Sequence, residues 1–301
     1  MAQTHNILVL PGDGIGPEVM TEAIKVLKAF ESPDHKFNLR QELIGGCSID
    51  ATGKSITEEV KQAALASDAV LFAAVGGPKW DNARRGLDGP EGAMDEWGYS
   101  EAEIQRVARL AAEVALRHNP PWPVISLDKA NVLASSRLWR RVVEKTMTTE
   151  YPQLKLVHQL ADSASLILAT NPRSLNGVIL ADNTFGDMIS DQAGSIVGTL
   201  GVLPSASLNG LPGDKTLDTR PYGLYEPTHG SAPTIAGKNI ANPVAMILCV
   251  ALMFRYSLNM ENEAQRLEAA VRKVLDKGLR TPDLGGTMGT KELGDAIVAE
   301  L

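Results

Sequence analysis

Two carboxylates four residues apart, Asp187 and Asp191, are the side chains best suited to chemistry in this sequence. If residues 183–191 are helical, both carboxylates project from one face, one turn apart. Hard divalent ions such as Mg²⁺ and Mn²⁺ favour oxygen ligands of this kind. The alternative is a solvated helix face, but apolar neighbours such as Phe185 and Met188 favour carboxylates that share a cation. A site for a divalent cation and a solvated helix face therefore both remain as interpretations of this segment.

Length and composition narrow the class of protein. The chain has 301 residues with an ordinary globular balance, enough for one large or two modest domains. A net charge of -7 without any basic tract argues against nucleic-acid binding, and no apolar run approaches membrane-spanning length. Only five residues precede the first strand pattern, so we expect no signal or transit peptide. Two distant cysteines, Cys47 and Cys249, fit reduced thiols in the cytoplasm.

Near the N-terminus a buried-strand pattern at 6–10 is followed by glycines and then by a helical pattern. The spacing of Gly12, Gly14 and Gly16 is one residue short of the dinucleotide-binding pattern G-x-G-x-x-G. Pro17 suits the first position of a helix. We therefore predict a tight strand-to-helix turn here.

Strand and helix patterns alternate along the rest of the chain. Strands are predicted at 37–43, 69–75, 124–128, 156–159 and 177–180; helices at 57–67, from Ser100 to Pro120, at 135–148, from Asp162, and at 243–258, 261–277 and 290–299. This alternation predicts an α/β fold with a mainly parallel sheet.

Six segments that occur in one order carry a resemblance: 10–18, 126–133, 183–191, 201–207, 226–233 and 283–286. Together they resemble the metal-dependent β-decarboxylating dehydrogenases of the isocitrate/isopropylmalate type, and among these the fungal 3-isopropylmalate dehydrogenases. The likeness extends over nearly the whole chain, apart from residues 83–95. It implies two α/β domains with a cleft between them. Residues 1–95 and 209–301 would bind the nucleotide, and residues 96–208 would bind metal and substrate and form the dimer.

The resemblance also implies an activity. Enzymes of this family oxidise a small anionic 2-hydroxy acid with NAD and release CO₂, with the help of Mg²⁺ or Mn²⁺. For this chain the substrate would be 3-isopropylmalate and the product 4-methyl-2-oxopentanoate, in leucine biosynthesis. The enzyme would be a homodimer in which each active site is shared across the interface.

Four side chains match the family's catalytic and metal positions. Asp187 and Asp191 would bind the metal in one subunit, and Asp162 would reach the same ion from the other subunit. Lys129, also from the partner, would help to deprotonate the substrate hydroxyl. Without the resemblance, a surface lysine at a strand end would be the favoured interpretation of Lys129, and Asp162 could equally be a helix N-cap.

The resemblance implies an adenosine-binding loop, with Asn242 nearby. The loop residues are His229, Gly230, Ser231, Ala232 and Pro233. An ordinary glycine-containing turn with a buried histidine is the alternative. NAD-linked relatives commonly carry an acid at the position of Thr234, and a threonine cannot reject a 2′-phosphate by charge. Because Lys238 also stands near, this departure weakens the expectation of NAD preference.

A larger departure lies between Trp80 and Glu96. The family carries several dozen more residues there, including substrate-binding arginines, a tyrosine that protonates the enol, and a strand between the domains. Arg84 and Arg85 fall near the gap but match none of these. A truncated gene product, a diverged paralogue and a deliberately shortened chain remain alternatives. We expect impaired activity, or alternatively a catalytically weak or inactive paralogue that binds nucleotide or pairs with a full-length subunit.

Overall fold

The computed structural model describes residues 3–80, 96–211 and 221–301. The chain divides into two compact units: unit 1 is Met1–Asp88 with Gly198–Leu301, and unit 2 is Gly89–Val197. Arg84 and Arg85 lie outside the described residues.

Strands and helices follow one another in the order that the sequence patterns predict. The strands are β1 Gln3–Gly12, β2 His35–Gln41, β3 Ala69–Ala74, β4 Val124–Asp128, β5 Leu156–Leu160, β6 Val178–Leu180, β7 Pro204–Leu208 and β8 Gly223–Pro227. The α-helices are α1 Gly16–Ala29, α2 Gly46–Thr52, α3 Glu58–Ala66, α4 Glu101–Leu116, α5 Ala134–Glu150, α6 Ala161–Thr170, α7 Asn183–Val197, α8 Val244–Tyr256, α9 Glu261–Asp276 and α10 Thr290–Ala299. The sequence patterns did not predict α2, β7 or β8.

The sheet of unit 1 has the order β2-β1-β3-β8-β7, and only the β7–β8 pair is antiparallel. Strand β1 is buried on both faces. Ile7 and Val9 join the core that contains α1 and α8, whereas Leu8 and Leu10 pack in the core beside α3. A parallel strand covered on both faces requires apolar residues at consecutive positions, which explains the unbroken apolar run in the sequence.

Strand β7 belongs to unit 1. It pairs with β8 from Pro204 opposite Pro227 to Leu208 opposite Gly223. The sequence analysis set the second domain boundary after residue 208, whereas residues 198–208 lie in unit 1. The strand ladder accounts for the difference, because β7 contributes its backbone hydrogen bonds to the unit 1 sheet.

Unit 2 is built on a parallel sheet with the order β5-β4-β6. One core contains residues of α4 and α5, such as Ile104 and Trp139, and a second contains residues of α6 and α7, such as Ala164 and Ile189. Helix α4 begins with a capping box: Ser100 Oγ accepts from the backbone N–H of Glu103, whose carboxylate accepts from Ser100 N.

These two sheets confirm an α/β fold with mainly parallel strands. Within the described ranges, no helix has the length and apolar character needed to cross a membrane.

Candidate active site

The predicted catalytic residues Lys129 and Asp162 meet at the carboxyl ends of two neighbouring strands. Parallel β4 and β5 pair in register up to Asp128 opposite Leu160, so the residues that follow the two strands lie side by side. Lys129 Nζ is 2.7 Å from Asp162 Oδ2, with side chains 24% and 64% exposed. The hydrogen bond from Lys129 lowers the pKa of Asp162 below its ordinary range. Asp162 is not a helix N-cap, because α6 begins at Ala161 and the cap position is Leu160.

Helix α7 carries both predicted metal ligands. Asp187 and Asp191 lie one turn apart and are exposed. Neither carboxylate has an ion-pair or hydrogen-bond partner within the described ranges. Helix α7 therefore presents two adjacent acceptor groups that no cationic side chain neutralises there.

The start of α7 is fixed by groups that the sequence analysis missed. Asp182 is buried, and its carboxylate accepts a 3.0 Å hydrogen bond from the backbone N–H of Phe185. The Tyr99 hydroxyl accepts from the backbone N–H of Asn183 at 3.3 Å. Burial raises the pKa of Asp182. An aspartate directly before a helical pattern is a sequence indication of an N-cap and could have been used to find this residue.

The carboxylates of Asp187 and Asp191 are suited to form part of a site for a hard divalent ion. Paired carboxylates offer the oxygen ligands that Mg²⁺ and Mn²⁺ prefer. In the part of the chain that the structure describes, no three His, Cys, Asp or Glu side chains converge as a metal site. Asp187 and Asp191 alone could supply only part of such a site, and Asp162 of the same chain is bonded to Lys129 instead.

The predicted adenosine loop is fastened to the β1–α1 turn of unit 1. The carbonyl of Ser231 accepts from the backbone N–H of Ile15 at 2.8 Å, and Ser231 Oγ donates to the Gly76 carbonyl at 2.8 Å. A Cβ on Gly14 would lie 1.9 Å from the Ser231 carbonyl oxygen, so only glycine fits there. The glycine-rich turn therefore allows close approach of the loop. Gly14 also has a φ of 60°, in keeping with the predicted tight turn.

His229 and Asn242 have fixed orientations in unit 1. His229 Nδ1 lies 3.0 Å from the Gly230 carbonyl, which accepts its proton, and Nε2 is buried without a partner in the described residues. Burial lowers the pKa of His229. Asn242 Nδ2 donates to Asp283 at 3.1 Å, and its Oδ1 accepts from the backbone N–H of Val244 at 3.0 Å. These contacts fix both side chains, and the unpaired His229 Nε2 is enclosed in the described structure and not open to solvent.

The remaining loop positions are more open. A Cβ on Gly230 would meet nothing within 4 Å, and Pro233, Thr234 and Lys238 are exposed. Ala232 has a φ of 39°, a left-handed conformation that is uncommon outside glycine. This side of the loop has room for a ligand.

Comparison with known proteins gives a consistent result. Residues 6–89 and 81–297 match the family model described as isocitrate/isopropylmalate dehydrogenase. The chain is 63% identical to 3-isopropylmalate dehydrogenase B of Aspergillus niger over 364 residues, which cover 99% of this chain and 98% of that relative. It is 46% identical to the 3-isopropylmalate dehydrogenase of Sordaria macrospora over 363 residues, with the same two shares.

The fold of a solved structure agrees with these sequence matches. The fold superposes on the crystal structure of isocitrate dehydrogenase from Methylococcus capsulatus with a TM-score of 0.85 and 26% identity, covering 98% of this chain and 99% of that one. With its sequence matched along almost its whole length and its fold reproduced, the chain belongs to the isocitrate/isopropylmalate dehydrogenase family.

Proposed function

We propose that this protein oxidises 3-isopropylmalate to 4-methyl-2-oxopentanoate with NAD and release of CO₂, in leucine biosynthesis. The observation that carries the proposal is the 63% identity to a relative named for this substrate over nearly the full chain. The 2.7 Å contact of Lys129 with Asp162 supports it, because the proposed base and a proposed metal-binding carboxylate lie together at one strand edge.

The residues of this chain have distinct roles in the proposed reaction. Asp187, Asp191 and Asp162 would hold a Mg²⁺ or Mn²⁺ ion, which when bound acidifies the substrate hydroxyl and stabilises the enolate. Lys129 would accept the hydroxyl proton as the neutral amine, and Asp162 would orient the ammonium group that results. His229 and Asn242 would hold the adenine end of NAD, and the backbone of Gly230, Ser231, Ala232 and Pro233 would line its approach.

A homodimer with shared sites is part of the proposal. Within one chain Asp162 bonds to Lys129, while Asp187 and Asp191 lie without a third ligand among the described residues. Large apolar side chains are exposed on α6 and α7: Leu166, Met188, Ile196 and Val197. Apolar side chains concentrated on two packed helices are typical of an interface. A second copy that covers these side chains would bring its own Lys129 and Asp162 to helix α7, beside Asp187 and Asp191.

The chain is shorter than the relatives it matches. Its alignment with the Aspergillus niger relative has 364 positions, 63 more than the 301 residues of the chain. The two stretches that match the family model overlap at residues 81–89. Both observations support a missing segment in this region, and with it the loss of the family's substrate-binding arginines. This favours a second candidate function: a weak or inactive paralogue that binds nucleotide or pairs with a full-length subunit.

Cofactor choice follows from the adenosine loop. Thr234 and Lys238 are both exposed, and neither supplies the negative charge that rejects a 2′-phosphate. We therefore propose NAD as the cofactor with weak discrimination against NADP. The free thiols Cys47 and Cys249 fit a reducing compartment, and we propose the cytoplasm.

One assay separates the two candidates. Purified protein is incubated with 3-isopropylmalate, NAD and Mn²⁺, and NADH and 4-methyl-2-oxopentanoate are both measured. Equal amounts of the two products, lost in Asp187→Asn/Asp191→Asn, support the dehydrogenase. Retained NAD binding without either product supports the inactive paralogue and contradicts the first proposal.

A further inference from the structure

An ion pair between a buried aspartate and a partly exposed arginine lies directly beside the proposed base. Arg140 Nε donates to Asp128 Oδ2 at 2.8 Å, and Arg140 Nη2 donates to Oδ1 at 2.9 Å. The Asp128 side chain is 0% exposed. Two parallel bonds fix both the position and the plane of the guanidinium and the carboxylate. Because desolvation offsets much of the attraction in such pairs, stability alone is a weak explanation for it.

The pair closes a loop that contains Lys129. Asp128 ends β4 and Arg140 lies on α5, so their contact ties the strand to the helix across the intervening turn. Asp128 Oδ1 also accepts from the backbone N–H of Ala130 at 2.9 Å. The carbonyl of Lys129 accepts from the backbone N–H groups of Val132 and Leu133, both at 2.9 Å. The backbone of Lys129 is therefore fixed on both sides.

A histidine covers the pair from β5. His158 Nδ1 is 3.9 Å from Asp128 Oδ2, beyond hydrogen-bond distance, and neither ring nitrogen has a partner in the described part of the chain. Burial, followed by the charge of Arg140, lowers the pKa of His158. A neutral imidazole leaves Arg140 as the group that balances the buried charge of Asp128.

We propose that Asp128 and Arg140 are positioning residues that fix the direction of Lys129 towards Asp162. The pair holds the backbone of the lysine, and the 2.7 Å contact with Asp162 holds its ammonium group. The role in turnover rests on the proposed dehydrogenase function, whereas the ordering of residues 129–133 does not.

The test compares Arg140→Lys with a matched control. Arg140→Lys keeps the charge that Asp128 needs but cannot make two parallel bonds. Arg109→Lys is the control, because Arg109 makes an equivalent two-bond contact with Glu150, at 2.7 and 2.8 Å, away from Lys129. Asp128→Asn is a second variant that removes the charge and keeps the shape.

Two readouts are measured on each full-length variant. Hydrogen–deuterium exchange of the peptide covering 129–133 should rise about tenfold in Arg140→Lys and Asp128→Asn, a loss of local stability near 1.4 kcal/mol. kcat should fall roughly tenfold to a hundredfold, with the KM for NAD unchanged, because a small misplacement of a reacting group has effects of this size. Arg109→Lys should change neither.

Unchanged exchange at 129–133 in both variants would overturn the positioning role, whatever the activity. Faster exchange with unchanged kcat would overturn the claim that this positioning of Lys129 contributes to turnover. If the unaltered protein makes no NADH, the proposed function fails, and the exchange data still decide whether the pair orders the turn.

Discussion

Lys129 Nζ and Asp162 Oδ2 of one chain lie 2.7 Å apart, at the ends of adjacent parallel strands. In the proposed dimer, these two side chains would complete the metal site on helix α7 of the other subunit. A mixed dimer therefore tests whether the site is shared. Lys129→Met and Asp187→Asn homodimers should each lose about 10²- to 10⁴-fold in kcat. A mixed dimer of the two should regain about half of the normal rate, because one of its two sites has every group intact.

The measurement is the rate of NADH formation by the mixed dimer after it is separated by two different affinity tags. A mixed dimer as inactive as its parents would show that each site is built within one chain.

Removal of metal should lower thermal stability. A ligand that binds only the folded state at a hundred times its dissociation constant adds about 2.7 kcal/mol to the free energy of unfolding. We expect Mn²⁺ to raise the melting temperature and Asp187→Asn/Asp191→Asn to abolish the rise, as measured by calorimetry. Asp276→Asn, an exposed aspartate at the end of α9, is the control and should respond normally. A full response in the double variant would contradict the metal assignment.

The exposed apolar side chains of α6 and α7 should hold the dimer together. Leu166 is 65% exposed and Met188 is 68% exposed in the single chain. Leu166→Glu/Met188→Glu would place charges in the interface, so we expect a monomer at micromolar concentration by light scattering, with activity lost. Leu65→Glu on α3, where Leu65 is 76% exposed, is the control and should leave a dimer. A dimeric double variant would place the interface elsewhere.

The proposed loss of a segment between Trp80 and Glu96 should weaken substrate binding more than nucleotide binding. Each lost charge-assisted contact is worth about 1.5–3 kcal/mol, and each 1.4 kcal/mol is a factor of ten. We expect kcat/KM for 3-isopropylmalate at least about a hundredfold below that of the Aspergillus niger relative, with a smaller change in NAD affinity. Steady-state kinetics and NAD titration on the same preparations measure both.

An efficiency within about tenfold of that relative would show that other groups have replaced the missing arginines. In that case Arg84→Ala/Arg85→Ala would identify the replacement, by a rise in the KM for substrate.

Two half-buried histidines should make the free energy of unfolding decrease as the pH is lowered. The pKa values of His158 and His229 are lowered from 6.5, in both cases first by burial. Below pH 6.5 the unfolded chain then binds protons that the folded chain does not, so the free energy of unfolding falls as pH drops towards the folded pKa values. We expect the melting temperature of His158→Phe to depend less on pH than that of the unaltered protein, between about pH 7 and about pH 5.5.

The comparison with the unaltered protein isolates the imidazole. Asp182 and Glu226 have raised pKa values and act in the opposite sense, but they are present in both proteins. A His158→Phe profile parallel to the normal one would show that the imidazole is protonated equally in the two states.

Sequence alone determined most of the local elements and the spacing of the two carboxylates on α7. The helical patterns that begin after Ser100 and at Thr290 are found as α4 and α10, because capping groups and a 3.6-residue apolar period act within one element. The four-residue spacing of Asp187 and Asp191 likewise fixes their neighbourhood once the segment is helical. Adjacency of this kind needs no information from distant residues.

Only the tertiary structure decided which separate segments meet. The 2.7 Å contact of Lys129 with Asp162 depends on the register of β4 with β5. The Asp128–Arg140 pair requires α5 to pack against β4. The hydrogen bond from Asn242 to Asp283 joins positions 41 residues apart. The pairing of β7 with β8 joins residues 204–208 to residues 223–227, which no local pattern around β7 indicates. Strand pairing and burial depend on the whole chain, so no local pattern encodes these contacts.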